Sequence, residues 1–209
     1  MYRYGFVLLA LAAAFTFAMV APSGGWARIV NALLQGAAVM AALSRAGAGR
    51  RLFVPAVAAT ATTIVIAVAA AFEGRFQGGV SDFIGAGLLV LVPVAIVLEF
   101  RRNLTVTVQS VMAALCVYVV LGMLFASVAS GISGVSGTPY FATQTAVSSS
   151  DYTYFSFITL ATVGYGDFVP ALRLGQALAV LEGLMGQLYL VTVVALLVAN
   201  VRLKPRNQQ

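Results

Sequence analysis

The segment Thr162-Val163-Gly164-Tyr165-Gly166-Asp167 lies between two long apolar runs and decides how the rest of the chain is interpreted. Its two glycines can adopt φ > 0 at little cost, as a backbone with alternating dihedrals requires. Such a backbone turns its carbonyls to one side, and a narrow ring of carbonyls can replace the water around a cation. Val163 and Tyr165 would then turn outward and pack behind the segment, with the Thr162 hydroxyl at its inner end. The alternative is a chance turn in a hydrophobic protein.

The composition is typical of a helical membrane protein that crosses the bilayer several times. Of 209 residues, 61% are hydrophobic and 9% are charged, and the mean hydropathy is +0.99. The chain has no histidine and one cysteine, Cys116, which argues against a His/Cys zinc site or an intrachain disulfide. We expect no cofactor. The basic residues stand at the ends of apolar runs rather than on one face, so no nucleic-acid partner is expected.

Six apolar runs approach the roughly 20 residues needed to cross a bilayer. The sequence therefore predicts an all-α membrane protein with six transmembrane helices. The second run is short for a span. The predicted spans are Tyr4–Ala21, Ile29–Leu43, Leu52–Phe72, Phe83–Phe100, Thr105–Ala129 and Leu174–Val201.

The basic residues predict that both termini are cytoplasmic in a multi-pass protein of the plasma membrane. With that orientation nine Lys and Arg residues lie inside and three lie outside. The inner residues are Arg3, Arg45, Arg50, Arg51, Arg101, Arg102, Arg202, Lys204 and Arg206, and the outer ones are Arg28, Arg75 and Arg173. The segment between spans five and six then faces outward. Alternatively, the first span is a cleaved signal peptide, since Arg3 precedes an apolar stretch.

The residues before the hexapeptide predict a short helix that enters the membrane without crossing it. Asp151 to Ala161 is too short for a span, and Asp151 lies near the expected N-cap. The C-terminal end of such a helix carries a partial negative charge that favours a cation.

With Tyr154 to Asp167, Pro170 and Leu181 to Tyr189, the chain resembles the pore domain of tetrameric potassium channels. It is most similar to small bacterial channels of the two-helix ion-channel family, with additional N-terminal spans. The resemblance covers Leu104 to Val201. It implies a potassium-selective channel that conducts passively, a homotetramer surrounded by membrane lipid, and potassium ions as the bound species.

The resemblance also assigns roles to single residues. Thr162, Val163, Gly164, Tyr165 and Gly166 would form the selectivity filter that binds potassium. Asp167 would lie at the outer end of the filter, where the Tyr154 hydroxyl can donate to it, although Tyr154 could instead be plain packing. Gly186 would be the hinge of the inner helix, or a site of close helix packing. We place Gln187, Leu190 and Val194 on the wall of the cavity below the filter.

Glu182 is a carboxyl group in the middle of an apolar run, which marks it as a functional candidate. Three interpretations are open. It could bond to Ser156 or Thr159 and support the filter. It could form a ring of charge that faces the pore, or it could be protonated and packed between helices.

The first 103 residues form a predicted four-span domain, and residues 104–209 form the predicted pore domain. Phe83–Phe100 lacks the repeated basic residues of a voltage sensor, so steep voltage gating is not expected. Eight residues follow Val201, too few for a soluble ligand-binding domain. Ile132 to Ser150 is rich in Gly, Ser and Thr, and we expect a flexible outer loop there.

Two other classes of protein remain as alternatives. Gly164-Tyr165-Gly166-Asp167 fits the Gly-x-Gly-Asp motif of intramembrane aspartyl proteases, which need a second aspartate inside another span. Asp82 and Asp151 lie instead at the edges of predicted spans, so we predict that the protein is not an enzyme. The other alternative is a channel-like subunit that regulates other channels and does not conduct.

Overall fold

The computed structural model describes residues 3–20, 25–45, 50–73, 75–100, 108–143 and 147–200. Within these ranges the chain is helical apart from the loops around the hexapeptide, which confirms the all-α prediction. The seven helices are α1 (Arg3–Val20), α2 (Gly25–Arg45), α3 (Arg50–Glu73), α4 (Arg75–Phe100), α5 (Val108–Ser136), α6 (Ser149–Leu160) and α7 (Arg173–Asn200).

Four of these helices are long and apolar enough to cross a membrane, which supports a multi-pass protein. Their candidate spans are Gly25–Ser44, Gly79–Val97, Val108–Ser136 and Arg173–Val193. The apolar stretches of α1 and α3 are shorter, so the count of six crossings stays a prediction. The second predicted span was drawn too short, because α2 begins at Gly25 rather than Ile29 and gains the length of a span.

One hydrophobic core joins α1 to α5. Val7 and Leu11 of α1 are fully buried in it, together with Leu89 of α4 and Val120 of α5. The first helix is therefore packed as part of the folded bundle. The predicted domain boundary after residue 103 falls in residues 101–107, which lie outside the described part of the chain.

The short helix α6 lies against both α5 and α7. Its Phe157 ring stands at the α5 backbone, where a Cβ on Gly122 would overlap it. The same ring packs on Phe15 of α1, with ring centroids 4.4 Å apart. Because α6 has 12 residues, it is about 18 Å long at 1.5 Å per residue, far short of a bilayer.

The described residues of the segment Ile132 to Ser150 include the end of α5, two buried aromatic residues and the start of α6. α5 continues to Ser136, two further residues pack inward, and α6 already begins at Ser149. Tyr140 and Phe141 are 2% and 1% exposed. The expectation of a flexible loop was therefore wrong at these positions, because two aromatic side chains outweigh the surrounding Gly, Ser and Thr.

Candidate functional site

The N-terminus of α6 is held by a capping box. Ser148 is the N-cap residue, and its backbone N–H donates to Oδ2 of Asp151 at 2.7 Å. The Ser148 hydroxyl donates to the same carboxylate oxygen at 2.7 Å. A carboxylate in the first turn also interacts favourably with the helix dipole. Asp151 is therefore the third residue of the helix and not its N-cap. From that position its carboxylate fixes where α6 begins.

The C-terminus of α6 closes in a Schellman motif, in which two N–H groups beyond the helix bond to carbonyls of its last turn. The Thr162 N–H donates to the Thr159 carbonyl at 2.9 Å, and the Val163 N–H donates to the Ile158 carbonyl at 2.8 Å. Thr162 has the left-handed φ of +56° that the motif requires. Glycine usually fills this position, and another residue there costs about 1–2 kcal/mol. The helix end therefore sets the first dihedral of the hexapeptide.

The backbone dihedrals alternate through the hexapeptide. Thr162, Gly164 and Gly166 have φ of +56°, +52° and +81°, whereas Val163 and Tyr165 have negative φ. Strict alternation of left-handed and ordinary residues is the backbone pattern that the sequence predicted for carbonyls turned to one side. The two glycines stand at positions where a side chain would be strained.

The hexapeptide has little cover from its own chain. Val163 is 51% exposed and Tyr165 is 71% exposed. The sequence predicted that these two side chains pack behind the segment. Within one chain they remain largely exposed instead. Large apolar surface of this kind marks a contact with something else.

The residues that follow the hexapeptide are hydrogen-bonded to the loop that follows α5. Phe141 and Pro170 form an antiparallel bridge. The Ala142 N–H donates to the Val169 carbonyl at 2.9 Å, and the Ala171 N–H donates to the Tyr140 carbonyl at 2.8 Å. These bonds fix where the chain leaves the hexapeptide and turns back toward α7.

A cluster of aromatic rings covers this bridge. Phe141 packs against Phe155 of α6 with centroids 5.1 Å apart, and against Phe168 at 4.9 Å. Phe168 also meets Tyr154, with centroids 5.8 Å apart. The Tyr154 hydroxyl lies near the Asp167 carboxylate, whose negative charge acts on it. The structure thus brings together the two residues that the resemblance paired.

Glu182 is 2% exposed and lies between α7 and α6. Ser156 of α6 and the Glu182 carboxyl are hydrogen-bonded, and the Ser156 hydroxyl is also 2.6 Å from the Gly122 carbonyl of α5. A serine hydroxyl has one proton to donate, and a carbonyl can only accept. If both contacts are hydrogen bonds, the second proton belongs to Glu182. These contacts join α7 to α6 and, through Ser156, to α5.

Gly186 permits a close approach between α7 and the end of α6. A Cβ at this position would overlap the Leu160 carbonyl oxygen. One turn earlier, a Cβ on Gly183 would stand 3.6 Å from the Thr159 carbonyl oxygen, an ordinary contact. Packing is therefore a sufficient physical reason for glycine at 186, and the hinge role stays a prediction.

The remaining predicted residues lie on surfaces that this chain leaves open. Gln187 and Leu190 are exposed on α7, and Leu190 is 43% exposed. Val194 lies in the helix, but its side chain is outside the described part of the structure. A role in lining a cavity is a prediction for all three.

Several residues that shape the site were not predicted from the sequence. Ser148 was missed as the N-cap, although Ser148-x-x-Asp151 has the spacing of a capping box. Tyr140, Phe141 and Phe168 were also missed. An adjacent pair of aromatics after a proline, inside a polar loop, was the available signal for the first two.

The aspartates are held by different neighbours. Asp167 faces Tyr154, Asp151 bonds to Ser148, and Asp82 accepts from Ser130 at 2.5 Å. These contacts do not form the shared carboxylate pair that an aspartyl protease needs.

Comparison with known families agrees with this geometry. A family model described as an ion channel matches residues 113–202, which confirms the resemblance over α5, α6, the hexapeptide and α7. That part of the chain is similar to the ion channels that this family model describes. No curated protein and no solved structure matches the chain.

Proposed function

We propose that this protein is the subunit of a potassium-selective channel, with Thr162 to Gly166 as its selectivity filter. The observation that carries the proposal is the alternation of φ at Thr162, Gly164 and Gly166 directly after the C-terminus of a short helix. Alternation presents a row of carbonyl oxygens, and such oxygens can replace the hydration shell of potassium. The helix end adds a partial negative charge beside the same segment.

Four copies of the chain would complete the pore. One chain supplies one row of carbonyls, which cannot enclose an ion, and closed rotational symmetry is the usual way to arrange identical subunits. Two observations support an assembly: Tyr165 is 71% exposed, and only 11% of the Arg173–Val193 span of α7 is buried. Neighbouring copies and lipid would cover these surfaces.

The contacts around α6 would then hold the filter in place. Asp151 fixes the start of the helix, and Ser156 ties its middle to α5 and, through Glu182, to α7. At the outer end, Tyr154 and Asp167 face each other. In this proposal Glu182 is a neutral brace rather than a ring of charge in the pore.

The orientation follows from the basic residues, with both termini in the cytoplasm and the filter mouth outside. The first helix is retained in this arrangement, because Val7 and Leu11 are buried in the core shared by α1 to α5. The location is the plasma membrane.

Reconstitution of the purified protein in liposomes tests the proposal. Flux of potassium, rubidium, sodium and lithium would be compared under the same gradient, with empty liposomes as the control. We expect potassium and rubidium to pass and sodium and lithium to be excluded. Equal flux of sodium and potassium would overturn the proposed selectivity, and absence of flux of any ion would favour a regulatory subunit.

A further inference from the structure

A cavity of about 70 Å³ with a lining of polar and apolar side chains lies among α1 to α6 and does not include residues of the hexapeptide. A water needs about 10–15 Å³ of such volume, so the cavity has room for several small polar species. Its polar lining includes Arg28, Asn31, Gln35, Thr63, Asp82 and Ser130. Arg28 and Asp82 lie in the first turns of the candidate spans of α2 and α4, and charged side chains within membrane spans are a reason to look for function.

Asp82 supplies the carboxylate among the described lining residues of this cavity. Ser130 of α5 donates to its Oδ2 at 2.5 Å, and Arg28 of α2 acts on it through its positive charge. Besides Asp82 and Arg28, the described lining has one more titratable side chain, Tyr152 of α6. The lining residues that come from α1, α3 and α5 are uncharged.

Two other oxygens of the cavity lining have acceptor capacity to spare. The Asn31 Oδ1 is buried and has no hydrogen-bond partner among the described residues. Thr63 uses its hydroxyl proton on the Ala59 carbonyl at 2.8 Å, which leaves its oxygen as an acceptor. A buried acceptor without a donor calls for an occupant that supplies positive charge or a hydrogen-bond donor.

We infer that this cavity binds one small monovalent cation, with Asp82 as the charged ligand and the Asn31 Oδ1 as a neutral one. Two species fit this description, a proton on Asp82 and a metal ion such as sodium. Each of them adds a single positive charge to the cavity. The surplus of acceptors disfavours an anion, and the positive charge of Arg28 disfavours a divalent ion.

The site borders the part of the chain that the ion-channel family model matches. Ser149 and Thr153, in the first two turns of α6, line the same cavity, and Thr153 is buried. The cavity therefore contacts the N-terminus of the helix that leads into the hexapeptide.

The only tryptophan of the chain gives a direct readout of binding. Trp26 lies edge-on to Phe17, with ring centroids 6.2 Å apart, and Phe17 lines the cavity. The fluorescence of Trp26 is measured in detergent-solubilised protein, where no ion conduction is required. The outcome is therefore independent of whether the protein is a potassium channel.

Two titrations distinguish the cations. In one, sodium replaces N-methylglucamine at constant pH and ionic strength, and in the other, pH changes at constant sodium. We expect a saturable one-site change in Trp26 emission in at least one of them. A response to pH alone assigns a proton, and a response to sodium at constant pH assigns a metal ion. Absence of a response in both titrations overturns the inference.

The variants test the ligands. Asp82→Asn keeps the size of the side chain and should abolish the response. Asn31→Ala should shift the midpoint by roughly tenfold, as expected for a lost bond to a charged species. Thr62→Ala is the control, because Thr62 is exposed and donates to the Ala58 carbonyl of its own helix. If the change in Trp26 emission persists unchanged in Asp82→Asn, the site is overturned. If that variant does not fold, Asn31→Ala decides, and an unchanged midpoint overturns the site.

Discussion

Helices α5 and α7 are nearly equal in length, with 29 and 28 residues, but differ sharply in burial. In the span of α5, 39% of the residues are buried, whereas in that of α7 the share is 11%. α5 packs against α1, α4, α6 and α7, while α7 packs against α5 and α6. The difference teaches that α5 packs against more of its own chain than α7 does, and that most of α7 is left open.

The polar residues follow the same division. α5 contains no charged residue, and its polar side chains serve contacts within the bundle, such as that of Ser130 with Asp82. On α7, Glu182 is buried against α6, but Gln187 is exposed in the middle of an apolar helix. An exposed amide in a membrane span needs water or a neighbouring subunit.

The largest effect is expected from a comparison of two glycines, one after α5 and one in the hexapeptide. Gly137 and Gly164 both have positive φ, +66° and +52°, and both have open space for a Cβ. Alanine at either position costs about 1–2 kcal/mol in the backbone. Gly164→Ala should abolish potassium selectivity in the liposome flux assay, whereas Gly137→Ala should lower stability and leave selectivity intact. Retained selectivity in Gly164→Ala would remove the filter from this segment.

The second prediction separates water from lipid at the surfaces of the two helices. In a Cys116→Ser background, a cysteine at Gln187 should react with a charged, water-soluble thiol reagent and block flux. A cysteine at Leu115 of α5, which is 48% exposed, should stay unreacted because it faces lipid. If both positions react equally, or neither reacts, then α7 does not line an aqueous cavity at Gln187.

The third prediction concerns how closely α7 approaches α6. Gly186→Ala should destabilise the protein by about 1–3 kcal/mol, as overpacking does, because the new Cβ meets the Leu160 carbonyl. Gly183→Ala is the matched control on the same helix and should be neutral or slightly stabilising. Thermal unfolding in detergent measures both. A hinge role without a packing role would instead leave the stability of Gly186→Ala unchanged and alter only gating.

The fourth prediction tests the neutral brace between α6 and α7. Glu182→Gln can still donate to Ser156, so stability should change by less than about 0.5 kcal/mol and conduction should persist with altered open probability. Glu182→Ala removes the donor and should cost about 1–3 kcal/mol. The experiment is thermal unfolding together with single-channel recording. A large loss of conductance in Glu182→Gln, strongest at low ionic strength, would indicate a charged ring in the pore instead.

The smallest effect is expected for the dependence of open probability on voltage. α4 contains one basic residue, Arg75, at its first position, so no ladder of charges is available to move through the membrane field. Steep gating takes about 3–4 charges in each of four subunits. Open probability should therefore vary weakly between strongly negative and strongly positive voltages in single-channel recordings. A steep sigmoidal curve of open probability against voltage would show that α1 to α4 carry gating charge without such a ladder of basic residues.

Much of the candidate site was predictable, because it depends on local chemistry. Positive φ was expected at Gly164 and Gly166 from residue type alone. The left-handed Thr162 was not expected, since it arises from the Schellman motif that ends α6. The position of Glu182 against Ser156 was one of three open alternatives, and only the packing of α7 on α6 selected it.

The sequence by itself determined the apolar helices, the short helix before the hexapeptide and the positive φ of Gly164 and Gly166, because hydrophobic length and glycine placement act over a few residues. Only the tertiary structure decided which polar groups meet. Ser156 lies 34 residues from Gly122 and 26 from Glu182 along the chain, and Asp82 lies 48 residues from Ser130. Contacts over such separations depend on how whole helices pack, and packing is set jointly by many side chains rather than by any local pattern.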